Sequence, residues 1–149
     1  IVAGAMDAIR VFITLFVVTE AMNVLALYFF PDTWYANSVG TFKAWEKSKD
    51  DPEVHDFVRY LVNWVAGTKL IFIGLLVVVL WTADDTVLFA TAAVMAVAIS
   101  SFFWRLFPIA RKVDAAGMMH PQGYSKVLGI MILMMIGAFV VAMAIDGMP

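Results

Sequence analysis

Four long apolar stretches, separated by polar segments, organise this chain. Val11–Phe30 is interrupted only by Thr14, Thr19, Glu20 and Asn23, and Pro31 and Asp32 close it. Comparable stretches cover about 60–81, 86–107 and 127–145, and Pro108 stands where the third would stop or kink. A helix of about 20 residues, rising about 1.5 Å per residue, crosses a hydrocarbon core of about 30 Å. That core offers no water to unpaired backbone groups, so each stretch is predicted to be helical. The pattern therefore predicts an all-α integral membrane protein, a four-transmembrane-helix antiparallel bundle in one domain over 1–149. The first stretch is longer than the apolar region of a signal peptide, and it runs out through bulky Leu27-Tyr28-Phe29-Phe30-Pro31. It reads as a retained helix. The chain opens on Ile1 and not on Met, which leaves room for residues upstream.

Polar punctuation supports the same division. Asp51 suits a helix cap, Pro52 a first turn, and Glu53 the positive end of the helix dipole. The second helix is thus predicted to start about two turns before its apolar stretch. Trp81-Thr82-Ala83-Asp84-Asp85 is short enough to make helices two and three antiparallel neighbours, with Thr82 or Asp84 capping the third. Gly117 suits a helix C-terminus after Arg111-Lys112-Val113-Asp114. Between helices one and two, Phe42 and Trp45 are spaced for one face of a short helix, with Lys43, Glu46, Lys47 and Lys49 around them. This segment is expected to lie on the cytoplasmic membrane surface, apolar side down, as an anchor or a docking surface.

Composition sharpens the class. Hydrophobic residues make up 63% of the chain and charged residues 15%, with a mean hydropathy of +0.89. These values exclude a disordered chain and an ordinary soluble enzyme. The net charge of -2 provides no global field for nucleic acid. Cysteine is absent, which removes disulfides, thiolate metal sites, iron–sulfur clusters and cysteine nucleophiles. With four spans, both termini and the 82–85 turn share one side, which carries Arg10 alone. The other side carries Lys43, Lys47, Lys49, Arg59, Arg105, Arg111, Lys112 and Lys126. By the positive-inside rule the long loops are cytoplasmic and the termini outside, as in a bacterial or archaeal cytoplasmic membrane.

Two charges fall inside the spans. Glu20 and Lys69 are each about the tenth residue of a stretch, so both land near the bilayer centre, where an isolated charge costs about 2.5–3.5 kcal/mol. They are expected to pair. Asn23 lies one turn from Glu20, and Asn63, Thr68 and Thr19 are candidates to complete a polar cluster. Two readings remain open: a buried salt bridge that fixes helix register, or a proton-linked or substrate-binding carboxylate. Small residues mark close-packing faces: Ala92, Ala96 and Ser100 on helix three, Gly67 and Gly74 (with Asn63) on helix two, and Gly137 with Ala138 and Ala142 on helix four. The ten methionines read as adaptable packing.

Catalytic signatures are missing. His55 and His120 both lie in loops, which argues against a membrane haem protein. His55 with Asp51, Glu53, Asp56 and His120 could at most hold a divalent ion, and no metal site is assigned. Arg105, Arg111 and Lys112 suit lipid head groups or a docking partner, as do Trp45, Lys43 and Lys47. Three functions remain. The first is a non-catalytic subunit or scaffold of a membrane complex or homo-oligomer. The second is a small oligomeric proton-coupled transporter or channel. The third is a lipid- or quinone-binding membrane enzyme using Arg105, His120 or Tyr124. No cofactor is assigned, although a bound lipid or quinone fits the third. The expected partners are the lipid bilayer and other membrane subunits or further copies of the chain, and not nucleic acid.

Overall fold

Helix ends in this chain are set by a few carboxylates. In the computed structural model, which describes residues 7–149, α1 (Asp7–Phe29) includes the four residues before its apolar stretch. The Asp146 carboxylate accepts the N–H groups of Ala8 at 3.2 Å and Ile9 at 2.8 Å, so an acid from the far end of the chain caps this helix. Two short 3-10 turns, Tyr35–Asn37 and Val39–Thr41, lead into α2 (Lys43–Ser48). The Asp51 carboxylate then caps α3 (Pro52–Thr82) by accepting from Glu53 N and Val54 N. Asp84, not Thr82, caps α4 (Asp85–Ser100) by accepting from Val87 N at 2.9 Å. The Thr82 hydroxyl instead donates to Val78 O.

The third apolar stretch departs from expectation. It breaks at Ser101 and resumes as α5 (Phe102–Ala115), which runs through Pro108. Ser100 and Ser101 donate their hydroxyls back to Ala96 O and Ala98 O, and Trp104 N reaches only to Ser101 O. Side chains competing for the carbonyl ladder loosen a helix at a serine pair. Pro108 removes one donor but does not end the element. At its C-terminus Gly117, at φ 69°, takes the left-handed conformation that glycine adopts without strain. Met118 N bonds Val113 O and Gly117 N bonds Asp114 O, which closes the helix. The last helix is α6 (Tyr124–Asp146). All the regular structure described is helical, and four helices are long and apolar enough to cross a membrane: 7–29, 52–82, the α4–α5 pair and 124–146.

Packing centres on α1, which touches α3, α4 and α6, while α4 and α5 pack on α6. Helices two and three, expected as neighbours, are α3 and α4. They are joined by a tight turn but barely touch along their lengths. The main core gathers Ile9, Ile13, Leu76, Leu88, Ala92, Ala96, Phe139 and Ala142. Phe16 stands between Phe72 and Phe139, 6.1 and 6.0 Å from their ring centroids. Wedging these rings between α3 and α6 leaves an apolar groove of about 710 Å³ between α3 and α4, lined by residues such as Leu75, Val79, Val87, Val94 and Ala98.

The small residues divide. Ala92 and Ala96 are buried on the side of α4 that meets α6, whereas Ser100 is exposed. Gly67 lies under the Tyr28 hydroxyl, but Gly74 and Gly137 face open space, so no close helix contact among the described residues explains them. The glycines that the packing requires are others. A Cβ at Gly129 would meet the Phe107 ring at 2.8 Å, and one at Gly40 would collide with the Asp32 carbonyl.

Candidate functional site: an ion pair under a loop layer

Residues 20 and 23 are three apart on α1 and so face α3 together. Lys69 Nζ stands 2.6 Å from Glu20 Oε2 and donates to Asn23 Oδ1 at 2.6 Å. The Glu20 and Lys69 side chains retain 16% and 23% of their exposure, and Asn23 is buried. Ammonium, carboxylate and amide thus offset one another's desolvation.

The rest of the cluster comes from backbone. Asn23 Nδ2 donates to Ala36 O at 2.5 Å and to Asn37 O at 3.0 Å. Both residues have positive φ, 51° and 55°. Asn tolerates that conformation, whereas Ala at such an angle costs roughly 1–3 kcal/mol. This turn folds the 35–37 carbonyls back onto α1 and fixes which way the Asn23 amide points. The other candidates lie elsewhere. Asn63 is exposed, while Thr68 and Thr19 bond their own helices at Trp64 O and Leu15 O.

A layer of loops roofs this cluster. Trp45 does not face outward as an anchor: it is buried, its indole N–H donates to Asp32 at 2.7 Å, and its ring lies 4.7 Å from His55. The reason is local. Lys49 bridges Asp32 and Glu46 at 2.7 Å each, which pulls α2 onto the chain that follows α1. The Lys49 ammonium and the Trp45 N–H hold the Asp32 carboxyl below the usual carboxylate range. His55 Nδ1 is 2.8 Å from Ser48 Oγ, and among the described residues no three His, Asp or Glu side chains converge on a metal position.

Asp114, beyond the apolar stretch that ends at Phe107, anchors the second loop. It accepts from the Ser125 hydroxyl at 2.5 Å, Gly123 N at 2.8 Å and Ser125 N at 3.0 Å. The Ser125 hydroxyl, followed by the Gly123 N–H, holds this carboxyl below its ordinary value. The two loops join through Lys43 N to Met118 O and His120 N to Thr41 O, over a small core of Met119, Tyr124 and Leu128. Nothing in the sequence spacing signals Asp114 as such a hub, because its partners lie across a turn that forms only on folding.

The docking candidates Lys43, Lys47, Arg105, Arg111 and Lys112 are all exposed, and the Arg105 guanidinium lies 4.7 Å over the Trp104 ring. No hydrogen bond or ion pair among the described residues joins Arg105, His120 and Tyr124. Every buried side-chain N and O described has a partner. The arrangement can hold a charge pair, orient an amide and present cations. Compared with known proteins, the chain matches no family model, no curated protein and no solved structure.

Proposed function

We propose that the chain is an integral membrane protein inserted through its four apolar helices, and that it serves as a non-catalytic subunit or scaffold of a membrane assembly. The observation that carries this reading is the looseness of α3. Of its 31 residues only Ala66 and Leu76 are buried, and the apolar groove of about 710 Å³ separates it from α4. Membrane helices associate by close packing. A groove this wide, with Ala90, Val94 and Ala98 on its α4 wall, suits a transmembrane helix of a partner subunit, another chain or a second copy. Satisfied internal polar groups fit the same reading, because they hold the bundle in register without exposing a reactive group.

Cysteines at Leu75 and Val94 test it, since both line the groove. In native membranes each should give a stoichiometric disulfide or bifunctional cross-link to a partner or to another copy. Cysteines that cross-link to nothing, with only lipid found in the groove, overturn the scaffold reading. The Glu20–Lys69–Asn23 cluster favours a second reading, a proton-coupled carrier, which would also need several copies to enclose a water-filled path. Proteoliposome flux that is lost in Glu20→Gln while assembly persists would select the carrier over the scaffold.

A further inference from the structure

Cations and acids on the loop side separate into two edges. The acidic edge is the start of α3, with Asp50, Asp51, Glu53 and Asp56 all exposed. The cations near that edge are engaged: Lys49 by Asp32 and Glu46, and Arg59 by Asp56. A second edge belongs to α5, the start of α6 and α2. It carries Arg105, Arg111, Lys112, Lys126, Lys43 and Lys47, all exposed. Among the described residues none of these six has a carboxylate within ion-pair distance. The acids beside them are held by other groups: Glu46 pairs with Lys49, and Asp114, although it feels the Arg111 charge, accepts from Gly123 and Ser125.

The fold, more than the sequence order, builds this edge. Lys43 is joined to the α5–α6 loop by its own N–H to Met118 O, and Lys47 Nζ lies 3.7 Å from Met118 Sδ. Two lysines from α2 are thereby carried to the α5–α6 side, Lys47 to a residue 71 positions away in the chain. Below them α5 exposes apolar surface at Trp104, Leu106 and Ile109. A single helix thus passes from lipid-facing apolar residues to unpaired cations within about two turns. That is the profile of the head-group level of a bilayer.

We infer that the edge formed by α5, the start of α6 and Lys43–Lys47 is a binding surface for anionic phospholipid head groups. This inference rests on the membrane reading above but not on the scaffold role. Charge complementarity selects the occupant: unpaired cations at this level meet lipid phosphates, and a net-negative head group leaves no carboxylate to displace. Each Lys or Arg near an anionic surface is worth about a fivefold gain in affinity, so removing three weakens binding on the order of a hundredfold.

The test is a lipid titration of the full chain in detergent, read by native mass spectrometry and by the thermal midpoint. Phosphatidylglycerol should bind more tightly than phosphatidylcholine and raise the midpoint. The Arg111→Gln/Lys112→Gln/Lys126→Gln variant should lose that preference. These side chains are exposed and make no hydrogen bond, so the variant keeps the fold; a control variant, Glu53→Gln/Asp56→Asn, should keep the preference. Equal binding of the two lipids, or a preference that survives in the triple variant, overturns the inference. Displacement of the phosphatidylglycerol by millimolar inorganic phosphate also overturns it, since the surface would then take a soluble anion.

Discussion

Glu20 and Lys69 show how far a residue's depth can be read from counting. Their helices advance at the same rise per residue, so equal distance from the ends of the apolar stretches puts them at one level. Counting also sets Asn23 one turn from Glu20, but it cannot supply the orientation of that amide. Asn23 is oriented by two carbonyls of a turn whose conformation is held by contacts made after folding. The cluster predicts a strong non-additivity. Glu20→Gln and Lys69→Met should each destabilise by about 3–5 kcal/mol, because each strands a charge. The double variant should recover most of that loss in detergent unfolding. Singles that merely add would show that the two residues act separately. Recovery of stability without recovery of flux would assign the pair to transport. Gly129 is the opposite case: nothing marks it as special in a helix rich in small residues, and only the approach of Phe107 makes it necessary.

At the scale of elements, capping signals were legible because they are local. Asp51, Asp84 and Gly117 act within one turn of themselves. The extent of the third span was not, because Pro108 suggests a stop while the actual interruption arises from two serine hydroxyls upstream. The helix therefore continues to Ala115 and delivers Asp114 to the loop it holds. The folded carboxyl sits below its unfolded value of about 3.9, so ionisation favours the fold. Its contribution is complete above that value and disappears as pH falls through the lower folded value. Protection of the Gly123 and Ser125 amides, taken relative to the intrinsic exchange rate at each pH, should therefore be full at pH 5 and be lost as pH falls below about 3.9 through the lower folded value. In Asp114→Asn both amides should exchange faster than in the wild type at pH 5, and the difference should vanish in acid, where the wild-type carboxyl is protonated. An Asp114→Asn protein with wild-type protection would refute the clamp. The α2 segment illustrates the same limit: its amphipathic spacing fits a surface helix, but Asp32 and Lys49 turn its tryptophan inward.

For the whole molecule, the one-against-eight distribution of Lys and Arg predicts the orientation. A cysteine in place of exposed Lys47 should be shielded from an impermeant thiol reagent in intact cells, and one in place of exposed Met148 should react. The reverse labelling pattern would invert the topology. Orientation also decides which leaflet the cationic edge meets, so this experiment fixes where anionic lipid must be supplied.

Hydrophobic runs and caps determined four apolar helices and their approximate ends, because both signals act through backbone hydrogen bonding and solvent transfer within a segment. They also placed two opposite charges at one depth. Helix neighbours required the tertiary structure. The turn between α3 and α4 suggested contact, but ring packing of Phe16 against Phe72 and Phe139 places α1 between α3 and α6 and leaves a groove beside α4. The loop layer also emerged only there. The bonds of Asn23 to Ala36 and Asn37, of Asp114 to Ser125 and of Lys43 to Met118 link positions whose proximity no periodicity encodes. Such contacts depend on which helices lie side by side, and that is decided by side-chain shape across the whole bundle.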